Sequence, residues 1–413
     1  MKLLHLGDLH IGKSVNDYSM IADQKYILDQ ILTIAQERVV DGVLIAGDVY
    51  DKAVPSEEAV RIFDYFLCQL AEQSIPAFII SGNHDSDERL HFGSALFETN
   101  GIYISSKYEG TMAKQTLTDE YGKVNIYLLP FVKASQVRHF WQEEKIESYD
   151  QAVGVVVKNT DINEEERNIL VAHQFVAGKG AEPEFGGSEN AAVQNVGTVE
   201  MVGTDCFTDF DYVALGHIHA AYPVGRDTVR YAGSPLCYHF DETKQPTKGP
   251  VLVELGPKGC VTMIDTKVIA PLHPMREIRG SYSEIQAAEL QNFSEGEYIR
   301  IVLTDRRPEP EIYSFFHELF EKRGSIVMEL TSEYSPFQAM PSTSPESTAV
   351  EKAIEDLFMD FYSERYDGGA PDQKTQELLR FVGEQVRRGD SGGVLELQAE
   401  ELRKFALKQE GLE

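Results

Sequence analysis

Five short apolar runs of this sequence each end in a cluster of polar residues, and this repeated arrangement limits the possible folds more than any other feature. The runs have the length and composition of buried strands, and amphipathic helical stretches separate the first three. We therefore expect an α/β fold. The carboxyl ends of parallel strands meet at one edge of a sheet, so these polar residues should converge although the chain between them is long. The runs and the segments that follow them are Leu3–Leu6 with 7–10, Val43–Ala46 with 47–51, Phe78–Ser81 with 82–85, Ile169–Ala172 with 173–174, and Tyr212–Leu215 with 216–219.

Two helices are predicted between the first three runs. Isoleucines recur at helical spacing from Ile21 to Ile34, which predicts an amphipathic helix. Ser56 is a predicted N-cap, because Glu57 and Glu58 follow it in what would be the first turn. Both helices should pack on the sheet.

The rest of the chain divides into further predicted regions. Three strand-like runs within 229–266 predict a second, antiparallel face that closes the core of a first domain, residues 1–270. Residues 271–335 predict a small α+β unit. Pro, Ser and Thr dominate 336–348, which predicts a linker. Residues 349–413 are predicted to be helical.

Two of the polar segments share one spacing. Asp8 and His10 stand at i and i+2, which on an extended backbone turns both side chains to one face. His217 and His219 have the same spacing, so each pair could bind one ion. A glycine precedes Asp8, Asp48, Asn83 and His217 and would allow close backbone approach where strand becomes loop.

Seven of the polar side chains form a predicted ligand set for metal ions. They offer oxygen and nitrogen and no sulfur, and they are too many for one ion but suit two ions that share a carboxylate. We assign the shared position to Asp48, because each of its oxygens can bind one ion. Apart from Asp48, the predicted ligands are Asp8, His10 and His219 for one ion and Asn83, His173 and His217 for the other.

Such a centre predicts hydrolysis of a phosphoester. Two ions about 4 Å apart can lower the pKa of a bridging water and clamp the attacking and leaving oxygens. His84 is the second predicted catalytic residue beside Asp48, because it should face the phosphate and stabilise the transition state or protonate the leaving oxygen. For Asp51 and Asp85 the role stays open. They could orient the histidines, or each could be a solvated loop carboxylate or a helix cap.

Composition limits the class of protein and the kind of partner. The chain has 413 residues, 42% of them hydrophobic, which suits two or three globular domains at about 150 residues each. The net charge of −29 should oppose the approach of nucleic acid and argues mildly against DNA. No apolar leader is present and charges interrupt every apolar run well short of about 18 residues, so we expect a cytoplasmic protein without membrane contact.

The cysteines predict a reducing environment. Cys68, Cys206, Cys237 and Cys260 lie far apart without a CxxC spacing. That pattern favours neither a disulfide framework nor a thiolate zinc site. We expect four buried thiols.

The strand-end segments resemble the calcineurin-like metallophosphoesterase superfamily. This resemblance covers most of the first 220 residues. It implies a four-layer β-sandwich flanked by helices, with the metal and catalytic residues named above. The superfamily pattern of DxH, GDxxD, GNHD, a lone His and GHxH matches Asp8 to His10, Gly47 to Asp51, Gly82 to Asp85, His173, and Gly216 to His219.

Within the superfamily the sequence resembles the SbcD family of bacterial nuclease subunits. This resemblance implies a manganese-dependent DNA nuclease of repair, recombination and replication, with 3′-to-5′ exonuclease activity on duplexes and endonuclease activity on single strands and hairpins. It also implies an ATP-hydrolysing coiled-coil partner of the SbcC type, and it is compatible with a homodimer inside a heterotetramer. The segments concerned are Gly7 to Lys13, Asp23 to Gln30, Ala46 to Val54, Gly82 to Leu90, and Tyr231 to Leu236.

The same resemblance gives roles to the later regions. Residues 271–335 would be a capping domain that helps to hold DNA, although acidic residues outnumber basic ones there. The tail would dock on the partner, and we nominate the aromatic stripe between Ile354 and Tyr362 as the docking surface, the alternative being that this helix packs on its own domain.

Three rival functions remain to be weighed. Protein phosphatases of the superfamily carry Arg-Gly after GDxxD, where this chain has Lys52-Ala53. A small-molecule or cyclic-nucleotide phosphodiesterase would keep the metal residues but has no need for 273–413, and it is the leading alternative. A non-catalytic scaffold would require lost ligands, yet all eight expected positions are filled.

Overall fold

The first part of the chain is built from two mixed β-sheets packed face to face, with helices on both outer surfaces. The computed structural model describes residues 1–178, 201–244, 248–289 and 295–334, and isolated positions between 359 and 380. Met1–Ser335 form one compact unit and Pro336–Glu413 a second. The predicted linker and most of the predicted tail helices, including the aromatic stripe, lie outside the described residues.

The first sheet carries three of the five predicted strands. Its strands are β1 (Lys2–Leu6), β4 (Gly42–Ala46), β5 (Ala77–Ile80), β6 (Ile102–Ser105), β15 (Val251–Glu254) and β16 (Met263–Thr266). They lie in the order β16-β15-β1-β4-β5-β6. Strands β1, β4, β5 and β6 are parallel, and β15 and β16 add an antiparallel edge.

The second sheet carries the other two predicted strands. Its strands are β7 (Ala113–Asp119), β8 (Gly122–Leu129), β9 (Arg167–His173), β12 (Tyr212–Gly216), β13 (Pro223–Val224) and β14 (Arg226–Tyr231). They lie in the order β13-β14-β12-β9-β8-β7, with the inner four parallel. Two small ribbons complete the set, β2 (Ser14–Val15) with β3 (Tyr18–Ser19) and β10 (Val176–Ala177) with β11 (Val202–Gly203).

Helices cover the outer faces of both sheets. The predicted N-cap is confirmed, since the Ser56 hydroxyl accepts a hydrogen bond from the Ala59 N–H at 3.2 Å. Apolar residues of the first two helices pack on the first sheet, and those of the sixth pack on the second. The helices are α1 (Ile21–Arg38), α2 (Glu57–Glu72), α3 (Asp87–His91), α4 (Ser94–Glu98), α5 (Ala134–Phe140) and α6 (Tyr149–Lys158), with 3₁₀ turns at Thr204–Phe207 and Phe240–Lys244.

A buried apolar layer joins the inner faces of the two sheets. Leu44 and Phe78 of the first sheet pack there with Ile126, Ile169 and Val171 of the second, and all five are fully buried. Helix, sheet, sheet and helix therefore form four layers, as the sequence predicted. Because this layer fixes one sheet against the other, it also fixes the carboxyl ends of their strands.

A smaller unit follows at residues 271–334, which we call the cap. Its three strands are parallel, in the order β17-β18-β19. Sequence reasoning found the last two strands and the helix between them but missed the first strand and the helix after it. The elements are β17 (Met275–Gly280), α7 (Tyr282–Glu289), β18 (Tyr298–Leu303), α8 (Pro310–Glu321) and β19 (Ile326–Ser332).

The cap is anchored to α1 by a buried carboxylate. Asp23 is fully buried and accepts hydrogen bonds from the Tyr298 hydroxyl at 2.8 Å and the His273 backbone N–H at 3.0 Å. Met20 and Met328 pack nearby in one apolar cluster with Tyr298. The cap and the start of α1 are thus joined by polar and apolar contacts.

Two strand predictions were wrong. The runs within 229–266 do not make a separate antiparallel face: β14 joins the second sheet parallel to β12, whereas β15 and β16 extend the first. The antiparallel pair β7 and β8 was not foreseen.

The prediction that the cysteines form no disulfide framework is confirmed, but the prediction that they are buried was wrong. All four cysteines are free thiols, but Cys68 and Cys260 are exposed and Cys206 and Cys237 only half-buried. Cysteine is small enough to lie at such positions, and composition carries no information on exposure.

Among the described residues, none of the helices combines the length and apolarity that crossing a membrane requires.

We predict that the layer between the sheets carries much of the stability. Phe78→Ala should lower the free energy of unfolding by about 3–5 kcal/mol, because the lost ring leaves a cavity in a fully buried layer. Phe92→Ala, at a side chain that is 83% exposed, should change it by less than about 0.5 kcal/mol. Urea unfolding of both variants measures the difference, and equal losses would contradict this account.

Candidate metal centre

The five polar segments meet at the carboxyl edge of the two sheets. The first three follow β1, β4 and β5 of the first sheet, and the other two follow β9 and β12 of the second. The edges touch directly, because the Asp8 Oδ1 atom accepts a hydrogen bond from the His217 backbone N–H at 2.8 Å. The convergence expected from the sequence is present, but it spans two sheets.

One cluster contains Asp8, His10 and His219, with a ligand atom of each within 4.8 Å of the others. The Nε2 atoms of His10 and His219 are 3.1 Å apart. The Oδ2 atom of Asp8 is buried without a hydrogen-bond partner among the described residues. Two facing ring nitrogens and an unpartnered carboxylate oxygen are a donor set that a cation would satisfy.

A second cluster forms around the Asn83 side chain. Its Oδ1 atom lies 3.1 Å from the His173 Nε2 atom and 3.0 Å from the His217 Nδ1 atom. One amide oxygen and two imidazole nitrogens therefore point at one small volume. This set is the one that the sequence predicted for the second ion.

Asp48 lies between the two clusters. Its Oδ2 atom is 3.6 Å from the His10 Nε2 atom and 3.4 Å from the His173 Nε2 atom. Its Oδ1 atom accepts the His84 backbone N–H at 2.9 Å. One oxygen, Oδ2, therefore faces histidines of both clusters, which suits a shared ligand. The expectation that each oxygen would serve one ion is not met, because Oδ1 is bound to the backbone.

The charges of the site are strongly coupled. Burial raises the pKa of Asp8 to about 6 and lowers the pKa of His217 to about 3. Burial also opposes the charged form of His173, but neighbouring Asp48 outweighs it and raises the pKa of His173 to about 9. Burial would raise the pKa of Asp48, but neighbouring His173 outweighs it and holds that pKa well below its ordinary value. The buried carboxylate is thus an anion that requires a cation beside it.

The backbone at these residues is not extended, which corrects the argument from i, i+2 spacing. Asp8, His10 and Asp48 have φ angles of 52°, 43° and 47°, and His217 has 101°. Each lies in the left-handed region that non-glycine residues rarely adopt. As a result His217 and His219 do not form a pair, since the first faces Asn83 and the second faces His10.

Two glycines permit the close packing around Asp48 and His173. A Cβ atom at Gly82 would lie 2.1 Å from the Asp48 Oδ1 atom. A Cβ atom at Gly216 would lie 1.9 Å from the Ala46 carbonyl oxygen and 2.9 Å from the His173 Nδ1 atom. Any side chain at these positions would displace a candidate ligand.

His84 lies at the open side of the site. Its side chain is exposed, its Nδ1 atom is 3.0 Å from the Asp51 carbonyl oxygen, and its ring meets the His10 ring edge-on at 4.8 Å between centroids. The hydrogen bond to a carbonyl requires the proton on Nδ1. The Nε2 atom is thereby left available. One ring nitrogen of His84 also lies within 4.8 Å of ligand atoms of His10 and Asp48.

Asp51 and Asp85, whose roles the sequence left open, have different contacts. The Asp51 carboxylate binds Lys13 Nζ at 2.7 Å and lies 3.7 Å from the His10 Nδ1 atom, so it faces one candidate ligand. Asp85 contacts no histidine among the described residues, and it is buried and caps no helix, so none of the roles left open for it applies. Its carboxylate accepts backbone N–H groups of Val49, Tyr50 and Gly82 at 2.9–3.1 Å and so ties two site loops together.

Sequence reasoning missed the carboxylate that orients His219. Glu242 is fully buried, and its Oε1 atom lies 3.1 Å from the His219 Nδ1 atom. It sits in a 3₁₀ turn without a preceding glycine or strand, so no local pattern marked it. Its sequence neighbour Asp241 is also acidic but is only half-buried, and composition cannot distinguish Asp241 from Glu242.

Comparison with known proteins identifies matching families. The calcineurin-like phosphoesterase family model matches residues 1–221, and the model described as type 5 capsule protein repressor C-terminal domain matches 271–366. TT1561 of Thermus thermophilus, a solved structure, aligns with 64% of this chain and 98% of its own at 11% identity and a TM-score of 0.36.

Two curated relatives are more similar. The SbcD subunit of the SbcCD nuclease of Staphylococcus saprophyticus is 35% identical over 309 residues, which are 73% of this chain and 78% of the relative. The protein of the same name from Staphylococcus epidermidis is 33% identical over 313 residues, 74% and 79% of the two chains. The similarity therefore extends beyond the strand-end motifs.

We predict that Gly216→Ala removes metal binding. The added methyl group would collide with backbone and with His173, at a cost of about 1–3 kcal/mol of stability, and the candidate ligands would move apart. Gly154→Ala in α6, where a Cβ atom meets nothing within 4 Å, is the control and should bind Mn²⁺ as the wild type does. Calorimetric titration with Mn²⁺ measures this, and unchanged binding by the Gly216 variant would show that the close contact is unimportant.

Proposed function

Because the chain belongs to the calcineurin-like phosphoesterase family and, within it, to the group of SbcD nuclease subunits, we propose that it cleaves DNA phosphodiester bonds at a centre of two divalent metal ions. The family makes the chain a metal-dependent phosphodiesterase of the nuclease class. The observation that carries the proposal of two ions is the position of Asp48, whose Oδ2 atom faces histidines of both clusters.

The ligands divide as the clusters do. Asp48 is shared between the ions. We assign seven residues to metal binding: Asp8, His10 and His219 to one ion, Asn83, His173 and His217 to the other, and Asp48 to both. The carboxylate and amide oxygens among these ligands suit Mn²⁺, which is the ion that we propose for both positions. When bound, two such ions would activate a water and stabilise the charge that develops in phosphoryl displacement.

His84 acts on the substrate in this proposal and binds no ion. The bond from Nδ1 to the Asp51 carbonyl fixes the ring, and the free Nε2 atom faces the open side of the site. In its protonated form, that nitrogen can donate to a phosphate oxygen or to the leaving oxygen. Its ring contact with His10 keeps it close to the metal ligands.

The cap offers little free positive charge for DNA. Arg276 pairs with Glu297 at 2.7 Å, Arg300 with Glu277 at 2.9 Å, and Arg279 with Glu333. Each guanidinium is therefore already bound to a carboxylate. DNA would be held mainly by the metal ions and by a partner, with residues 271–335 acting as a lid and not as a basic clamp.

The partner in this proposal is a coiled-coil ATPase of the SbcC type. It is supported by the name of the relatives, which makes each of them one component of SbcCD. Residues 349–413 would bind it, ATP in the partner would gate the nuclease, and a homodimer of this chain would stand inside a heterotetramer. Duplex digestion from 3′ ends, hairpin cleavage and a cytoplasmic role in repair, recombination and replication belong to the same proposal.

The first test separates catalysis from metal binding. We expect His84→Ala to bind Mn²⁺ and to lose cleavage of a 3′-labelled linear duplex by more than about 100-fold, since a proton donor contributes about that much. Asp48→Ala should lose both, because the shared ligand is gone. Calorimetric Mn²⁺ titration and a cleavage gel are run on the same preparations.

His317→Ala is the control, since that histidine lies on α8 and faces Glu321 of its own helix. It should cleave like the wild type. Hydrolysis of bis(p-nitrophenyl) phosphate with intact DNA would favour the small-molecule phosphodiesterase, unless adding the ATPase restores cleavage. Loss of metal binding by both His84→Ala and Asp48→Ala would contradict the separate role of His84.

A further inference from the structure

The 3₁₀ turn Phe240–Lys244 lies between the candidate metal centre and the cap. Phe240 is buried in an apolar cluster with Val15 and Met20 of the first part of the chain and with Tyr298 and Met328 of the cap. The next two residues of the turn reach in different directions. Glu242 meets a candidate metal ligand, and Asp241 meets an arginine of the cap.

Glu242 is held in one position by contacts on both oxygens. Its Oε1 atom lies 3.1 Å from the His219 Nδ1 atom. Its Oε2 atom accepts hydrogen bonds from Lys248 Nζ at 2.7 Å and from the Tyr238 N–H at 3.2 Å. Lys248 in turn donates to the Ser234 hydroxyl and to the His219 carbonyl. A fully buried carboxylate with this many donors cannot turn without leaving one of them unsatisfied.

The contact with Glu242 determines which nitrogen of His219 is available. A hydrogen bond from Nδ1–H to the carboxylate places the ring proton on Nδ1 and leaves the Nε2 lone pair pointing at Asp8 and His10. A carboxylate in this place also makes the imidazole a stronger donor to a metal. His173 has a weaker arrangement, since its Nδ1 atom meets only the neutral Ala46 carbonyl at 2.7 Å.

Asp241 connects the same turn to the cap. The Arg300 Nη2 atom of β18 lies 3.3 Å from its Oδ1 atom, and the Arg300 guanidinium lies over the Phe240 ring at 5.6 Å. Glu277 of β17 holds the other side of Arg300, with Nε to Oε2 at 2.9 Å. Arg300 is mostly buried, so this contact is better shielded from solvent than a surface pair.

We propose that the turn Phe240–Lys244 is a positioning element that couples the cap to the metal centre, with Glu242 orienting His219 and Arg300 holding the turn against the cap. This inference rests on the proposed metal centre and goes beyond it, because it makes the affinity for one ion depend on the cap and the affinity for the other independent of it. The affinity for the ion bound by Asp8, His10 and His219 would fall when the cap shifts. The affinity for the ion bound by Asn83, His173 and His217 would stay the same.

The first test replaces the carboxylate. Glu242→Gln should weaken the binding of one of two Mn²⁺ ions about 10- to 100-fold and leave the other unchanged, measured by calorimetry and by the electron paramagnetic resonance signal of free Mn²⁺. Glu297→Gln is the matched control, since Glu297 is also buried and pairs with Arg276 inside the cap. Unchanged affinity for both ions in folded Glu242→Gln would overturn the role of Glu242.

The second test loosens the cap contact. Arg300→Gln should lower the affinity for the same ion about two- to fivefold, the range for a partly exposed ion pair. Arg279→Gln, which breaks the cap pair with Glu333 and leaves the contact between Arg300 and Asp241 in place, should not. Asp241→Asn should have the same effect, and the double variant should add nothing to it. Equal affinities in the Arg300 and Arg279 variants would overturn the coupling.

Thermal unfolding verifies that each variant is folded, and Asp241→Asn carries the test if Arg300→Gln is not. The wild type separates this inference from the function that it rests on. If the wild type binds no Mn²⁺, the metal centre itself is wrong and the coupling is wrong with it. If it binds two ions and all variants match it, only the coupling is wrong.

Discussion

One buried carboxylate, Asp48, determines how the rest of the first unit must be arranged. An anion removed from water is costly unless charged or hydrogen-bonded partners surround it. Here the partners are His10 beside it on the first sheet and His173 from the second. The second sheet must therefore lie against the first with the carboxyl ends of its strands level with β4. The apolar layer between the sheets and the glycine contact at Gly216 supply that alignment.

The same alignment explains why the site can hold an unusual backbone. Four candidate ligand residues occupy left-handed conformations, each of which costs of order 1–3 kcal/mol outside glycine. Such strain persists only where surrounding structure leaves no alternative. Asp85 helps here, because its carboxylate ties the Asp48 loop to the Asn83 loop through three backbone N–H groups. The stable sandwich and the strained edge are therefore parts of one arrangement.

The sequence predicted the parts of this site that follow from strand position. Polar residues directly after apolar runs had to meet, so the grouping of Asn83 with His173 and the central place of Asp48 could be expected. The backbone conformation could not, since nothing local marks a non-glycine residue as left-handed. Glu242 was missed for a related reason: its contact with His219 exists only once the chain after β14 has folded back over the site. Exposure of Cys68 and Cys260 likewise depends on tertiary packing.

The net negative charge of the chain is compatible with a polyanionic substrate, because the cations that would attract phosphate are expected at one buried site. A net charge of −29 is spread over a large surface, and salt screens it beyond about 8 Å at physiological ionic strength. The carboxylates of Asp8 and Asp48 are buried instead, where screening is weak and divalent cations would reverse the local sign. Three arginines of the cap, Arg276, Arg279 and Arg300, are paired with neighbouring glutamates. Attraction for phosphate would therefore be concentrated at the metal ions, and an acidic surface would disfavour DNA that is not delivered to them.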